Sequence, residues 1–161
     1  MSDKVKNILL AIIPVIIVGG LCSYITRTGV AGWYAQMAKS SLTPPNYVFS
    51  VAWSIIYILL MISFYRLLSH VSTEKASAYR FYWQQLILQV LWCFLFFKAK
   101  LPLIGGLVIL WLVITVFRMI LAFLKIDKTA GFLNIFYLLY ICFASFLNWS
   151  FLYRNALITT F

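Results

Sequence analysis

Acidic side chains are nearly missing from this sequence. Asp3, Glu74 and Asp127 are the whole set, against 13 Lys and Arg among 161 residues. Hydrolysis by paired carboxylates and a carboxylate-bound metal therefore have no constellation to rest on. Histidine occurs once, at His70. It stands at the edge of an apolar run near Glu74, Lys75 and Arg80, where it reads as a solvated loop residue. Cysteine occurs three times, at Cys22, Cys93 and Cys142. Each falls in a different apolar run, a spacing that builds neither a metal site nor a disulfide framework. Charge of any sign is scarce: 10% of residues are charged and 65% hydrophobic, against roughly 25% and 45–50% in soluble domains. With a mean hydropathy of +1.00, a soluble globular domain is excluded. The net charge of +10 contains no basic run, so no nucleic-acid partner is expected. The cations sit at the ends of apolar runs, where they meet lipid phosphates.

What is there is a membrane protein with lipid as its first partner. Apolar runs at about 7–26, 47–68, 80–97, 102–124 and 131–153 each approach the ~20 residues needed to cross a hydrocarbon core. The expected fold is all-α, an integral membrane bundle of five transmembrane helices forming a single domain over 1–161. Connections are short except at about 27–46, a stretch too polar to cross that should lie over one end of the bundle as a lid. The first run, preceded by Lys4 and Lys6, is long for a signal peptide and has no clear small-x-small cleavage site, so it reads as a retained span. Arg27, Lys39, Lys98, Lys100 and Arg154 fall at one end. Lys4, Lys6, Arg66, Lys75, Arg80, Lys125 and Lys128 fall at the other, an excess that favours a cytoplasmic N-terminus.

The stretch from Trp33 to Tyr57 organises the chain. Pro44 and Pro45 lack backbone N–H groups and break any helix through this point. A helix can begin just after them, and on it Phe49, Trp53 and Tyr57 share one face. A rigid aromatic loop thus leads into an aromatic helix face. The pattern suits either a pocket with its cover or an ordinary aromatic belt at the membrane surface. Gly19, Ser23 and Thr26 share a face of the first span, for close helix packing or for ligand room. Gln85, Gln89, Trp92 and Phe96 follow helical spacing in the third span. An unpaired amide in hydrocarbon costs several kcal/mol, so Gln89 should face inward, toward another helix or a ligand. Trp111, Thr115 and Arg118 share a face in the fourth span, with Arg118 snorkelling to the surface. Tyr137, Tyr140, Ala144 and Asn148 line one face of the fifth. Two phenols, a gap and an amide suit a flat, mostly apolar ligand or a helix-packing seam.

Taken together these residues resemble the tryptophan-rich sensory protein and translocator protein family, also called peripheral-type benzodiazepine receptors. Trp33-Tyr34, Lys39, Thr43-Pro44-Pro45, Val48-Phe49, Trp53 and Tyr57 match its first loop and second helix. Gln85-Leu86, Trp92 and Phe96-Phe97 match its third helix. Tyr137, Phe143-Ala144, Leu147-Asn148 and Arg154-Asn155 match its fifth. The resemblance implies a five-helix bundle, commonly a homodimer, with a ligand pocket under the loop between the first two helices. It implies ligands such as protoporphyrin IX or haem, a sterol such as cholesterol in animal members, and benzodiazepine-type compounds, with no required cofactor. Carried onto this chain, the ligand-binding set is Trp33, Pro44, Pro45, Phe49, Trp53, Tyr57, Gln89, Trp92, Tyr140, Phe143, Ala144 and Asn148. Trp53 and Tyr140 are also the candidates for light-driven porphyrin degradation, an activity reported for some bacterial members.

Several positions depart from the family pattern. Tyr140 stands where the family has tryptophan, which removes an indole from the photochemical pair. Phe94 and Phe136 replace prolines, so the third and fifth helices are expected to be straighter. Gln89 replaces an asparagine and Ser40 a proline. The reading that results is a membrane-embedded tetrapyrrole-binding protein, a sensor, carrier or translocator in a bacterial cell membrane. A light-dependent porphyrin-degrading enzyme and a secondary transporter are the alternatives. No intramembrane carboxylate offers the transporter a proton site.

Overall fold

A backbone crossing hydrocarbon must satisfy its own polar groups, which leaves an apolar chain of this kind with helices. The computed structural model describes residues 2–158 and places them in five long helices and one short one. These are α1 (Asp3–Ala31), α2 (Asn46–Ser69), α3 (Lys75–Cys93), α4 (Pro102–Leu124), α5 (Lys128–Leu133) and α6 (Ile135–Ile158). Helices α1, α2 and α4, and α5 with α6, are long and apolar enough to cross a membrane. Helix α3 carries more polar residues and packs along α4 and against α1. The protein is an all-α, multi-pass membrane bundle.

Helix ends fall away from the hydropathy boundaries because polar residues continue several helices past their apolar runs. Helix α1 begins at Asp3 and carries Arg27 and Thr28 before stopping at Gly32, whose N–H bonds to the Gly29 carbonyl at 3.2 Å. The lid is correspondingly shorter than 27–46. It starts at Gly32, makes one 3-10 turn over Trp33–Gln36, and ends at Pro45, the residue preceding α2. Helix α3 starts at Lys75 rather than 80, through the polar Lys75–Arg80 turn that hydropathy misses.

The expected straightening of the third and fifth helices does not occur. Helix α3 runs into a π-helical turn over Phe94–Lys98, closed by Ala99 N–H donating to the Phe94 carbonyl at 2.8 Å. Lys100 then takes a left-handed conformation (φ 57°), rare for a residue with a side chain, and Pro102 opens α4. At this reversal Gly105 lies against Phe96, where an added Cβ would come within 3.3 Å of the Phe96 Cβ. The fifth run is divided at Asn134 (φ −90°, ψ 0°). The Asn134 amide donates to Ser63 Oγ at 2.6 Å and to the Ala130 carbonyl at 2.8 Å. Side-chain bonds of this kind compete with the helical ladder.

Close approach elsewhere depends on glycine. Gly29 faces Phe97, where a Cβ would stand 2.7 Å from both the Cβ and the carbonyl oxygen of that residue. Gly19 faces the Tyr57 ring, while Ser23 is exposed, so the small-residue face of α1 serves packing at Gly19 but not at Ser23. Trp111, Thr115 and Arg118 do not share an environment. Thr115 is buried, and Trp111 and Arg118 are exposed on the outside of α4. Of the cysteines, Cys22 and Cys93 are buried and Cys142 is exposed. A parallel stack of Phe64 on Tyr82, centroids 3.6 Å apart, joins α2 to α3 in the core.

Candidate functional site

Trp53 stands two turns into α2, on the face that α2 turns toward α6. Its ring meets Tyr140 edge-on at 5.7 Å and Tyr137 edge-on at 6.1 Å, and lies 5.7 Å from Tyr57. Phe49, one turn earlier, reaches Tyr140 at 6.3 Å, and Phe143 lies 6.4 Å from the same ring. The i, i+4, i+8 face of α2 and the i, i+3 face of α6 therefore meet. Trp53, Phe49, Tyr140 and Phe143 are each half-buried. The rings touch one another rather than flank an open cavity, so a ligand entering between α2 and α6 must part them. Two surface concavities lie on the outer face of α1, one at Leu9–Ile13 and one at Gly20–Arg27, and neither borders this cluster.

Polar side chains of α3 back the aromatic cluster in steps of about one helical turn. The Tyr137 hydroxyl donates to Gln85 Oε1 at 2.9 Å, and the Gln89 amide donates to the Tyr57 hydroxyl at 2.7 Å. Trp92 Nε1 donates to Asn148 Oδ1 at 3.2 Å, and the Asn148 amide donates to the Pro102 carbonyl at 2.9 Å. Gln85, Gln89, Trp92, Ala144 and Asn148 are all buried. Each rung ties α3 to another helix, which answers the cost of an amide in hydrocarbon. The satisfaction is partial: Gln85 Nε2, Gln89 Oε1 and the Tyr140 hydroxyl are buried without a partner among the described residues.

The remaining expected residues form a separate cluster under the lid. Trp33 Nε1 donates to the Phe97 carbonyl at 2.9 Å, and its ring stands edge-on to Phe151 at 5.5 Å. Tyr34 stacks on Phe151 at 5.3 Å and touches Phe96 and Phe97. Burial pushes the Tyr34 phenol above its usual value. A clamp holds the lid farther along, with Ala38 N–H donating to Asn155 Oδ1 at 3.1 Å and the Asn155 amide donating to the Ala38 carbonyl at 3.0 Å. Pro44 is half-buried and Pro45 exposed at the start of α2. No ring contact joins Trp33 to Trp53 among the described residues, and Trp92 meets the lid cluster at Phe96 and Phe97. Phe151 escaped the sequence reading, although it continues the Ala144–Asn148 face at i+7 and i+3.

At the opposite end, Arg66 Nε donates to Asp127 Oδ2 at 2.7 Å and Nη2 to Oδ1 at 3.3 Å. Asp127 also caps α5, accepting from the backbone N–H groups of Thr129 and Ala130. His70 is exposed, as expected for a loop residue, yet its Nδ1 lies 3.7 Å from Asp127 Oδ2 and 2.8 Å from the Arg66 carbonyl.

Comparison with known proteins places the chain in a family. The model of the TspO/MBR family matches residues 10–154. The chain is 33% identical over 153 residues to the tryptophan-rich protein TspO of Archaeoglobus fulgidus, covering 95% of this chain and 99% of the relative. It is 36% identical over 124 residues to protein CrtK of Rhodobacter capsulatus, covering 73% and 75% of the two chains. It is 30% identical over 118 residues to the tryptophan-rich sensory protein of Cereibacter sphaeroides, covering 72% of each. A five-helix membrane bundle, an aromatic loop and near full-length similarity coincide: this chain belongs to the TspO/MBR family.

Proposed function

We propose that this protein binds a flat, largely apolar tetrapyrrole such as protoporphyrin IX or haem within the membrane, and acts as its sensor, carrier or translocator. The observation that carries the reading is the meeting of Trp53 on α2 with Tyr137 and Tyr140 on α6. Half-buried rings in mutual edge contact can part to sandwich a planar ligand, exchanging one aromatic contact for another of similar strength. Orphaned polar atoms on Gln85, Gln89 and Tyr140 offer a donor and acceptors to the polar parts of such a ligand. The name of the Cereibacter relative, a sensory protein, is in keeping with a binding role. A sterol-like ligand would use the same apolar walls and leave most of these polar atoms unmatched. Pairing with a second copy of the chain, in a bacterial cell membrane, belongs to the same reading.

The test is a titration of purified protein with protoporphyrin IX, followed by quenching of tryptophan fluorescence. Saturable quenching is expected, weakened about tenfold in Trp53→Ala, which removes the central ring and leaves a gap between its neighbours. Non-saturable quenching, or an unchanged curve in the variant, refutes the reading.

A further inference from the structure

Cysteines that are far apart in the sequence meet inside the bundle. Cys22 on α1 and Cys93 at the end of α3 are buried and free, and their side chains lie within hydrogen-bonding reach of each other. Thr26, one turn beyond Cys22, donates from Oγ1 to Cys93 Sγ at 4.0 Å. The two helices run close here, because Gly29 packs directly on Phe97, one turn beyond Cys93. Tyr57 and Tyr137 both stand within electrostatic reach of the two sulfurs. Neighbours of the pair hold Tyr57 in a slot. Its ring lies on Gly19, one turn before Cys22, where an added Cβ would come 3.0 Å from Cε2. Its hydroxyl accepts from Gln89, one turn before Cys93, at 2.7 Å. The same ring lies 5.7 Å from Trp53.

We propose that Cys22 and Cys93 are a site of reversible oxidation, closing to a disulfide that ties α1 to α3 behind Tyr57. Burial of both thiols restricts the oxidant to a hydroperoxide small and apolar enough to dissolve in hydrocarbon. The Cys93 sulfur, which the Thr26 hydroxyl can stabilise as the thiolate, attacks the terminal peroxide oxygen. The O–O bond breaks, the alcohol leaves with the thiol proton, and a sulfenic acid remains on Cys93. The Cys22 sulfur then attacks the Cys93 sulfur, the S–O bond breaks, and water leaves with the second thiol proton. The thiols are oxidised and the hydroperoxide is reduced to alcohol and water. Bonded sulfurs stand far closer than sulfurs in contact, so closure draws α1 against α3 and tightens the slot around Tyr57. Trp53, packed on Tyr57, then parts from Tyr140 less readily. Weaker binding of a plate between α2 and α6 follows, a consequence that rests on the aromatic site proposed above. The crosslink itself does not.

The experiment uses the full chain in detergent with Cys142→Ser, which leaves only the buried pair, treated with tert-butyl hydroperoxide. The product is expected to be about 2 Da lighter through loss of two hydrogens, to regain them with dithiothreitol, and to yield a linked Cys22–Cys93 peptide. Adding Cys22→Ser should abolish that product. A folded protein that keeps its mass, or that gains oxygen on a cysteine without linking, overturns the site. Protoporphyrin IX is then titrated into the oxidised and reduced forms. Affinity roughly tenfold weaker after oxidation, restored by dithiothreitol, is expected. Equal affinity in a linked protein overturns the coupling to Tyr57. Absence of saturable binding in both forms overturns the aromatic site, and the mass still decides the crosslink.

Discussion

Asp127 couples a buried carboxylate to acid stability. Burial alone would raise its pKa, but the Arg66 guanidinium and the N–H groups of Ala130 and Thr129 outweigh this and hold it below the usual carboxylate value. A carboxyl depressed in the folded state contributes stability above its unfolded pKa, about 3.9, and loses it as pH falls through the folded value. Thermal unfolding in detergent should therefore be insensitive to this group from pH 8 to about 5 and weaken below about 4. Asp127→Asn should be less stable at neutral pH by about 1 kcal/mol, through loss of the ion pair, while its Oδ1 can keep both cap bonds, and should show a smaller acid decline. Equal acid declines in the two proteins would separate the group from acid sensitivity. None of this was legible in the sequence, where Asp127 reads as part of a short polar turn. Arg66 is 61 positions away, and no local pattern announces such a pairing. Gln89 was different, because the cost of its amide in hydrocarbon forces it inward whatever its partner.

At the scale of the element, the lid depends on one indole. Replacing Trp33 with Phe keeps most of the ring contact with Phe151 and removes the N–H that meets the Phe97 carbonyl. A hydrogen bond of this kind contributes about 1 kcal/mol, so amide exchange across the 3-10 turn should quicken roughly fivefold. Hydrogen exchange with mass spectrometry would measure it, and unchanged protection would mean that the Tyr34 stack and the Ala38–Asn155 clamp hold the lid without it. The double proline announced where α2 begins, since proline leaves the chain few alternatives. Helix ends at Ala31 and Lys75 were hidden because charged residues extend helices beyond the apolar pattern. The π-turn and the break at Asn134 were hidden for a different reason. Both depend on contacts with other helices, and a periodicity of 3.6 carries no trace of them.

The whole molecule turns on whether α3 crosses. It spans 19 residues before its π-turn and does not share the apolarity of its neighbours, yet α4 continues from it at the lidded end. In a variant whose native cysteines are replaced, Thr73→Cys and Lys98→Cys should react with a membrane-impermeant maleimide from opposite sides of sealed vesicles. Labelling of both from one side would place α3 along the surface and dismantle the bundle. The number of apolar runs made the architecture readable, because thickness of hydrocarbon sets their length. The direction of insertion is less readable, with seven cations facing five across the membrane.

The bends at Phe94–Lys98 and Asn134 carry a consequence for recognising kin. Here each irregularity occurs without an imino acid beside it: one rests on the Phe96–Gly105 approach, the other on the Ser63–Asn134–Ala130 knot. Contour can thus outlive the letter that usually signals it. A search for bends keyed to proline alone would pass over both of those in this chain.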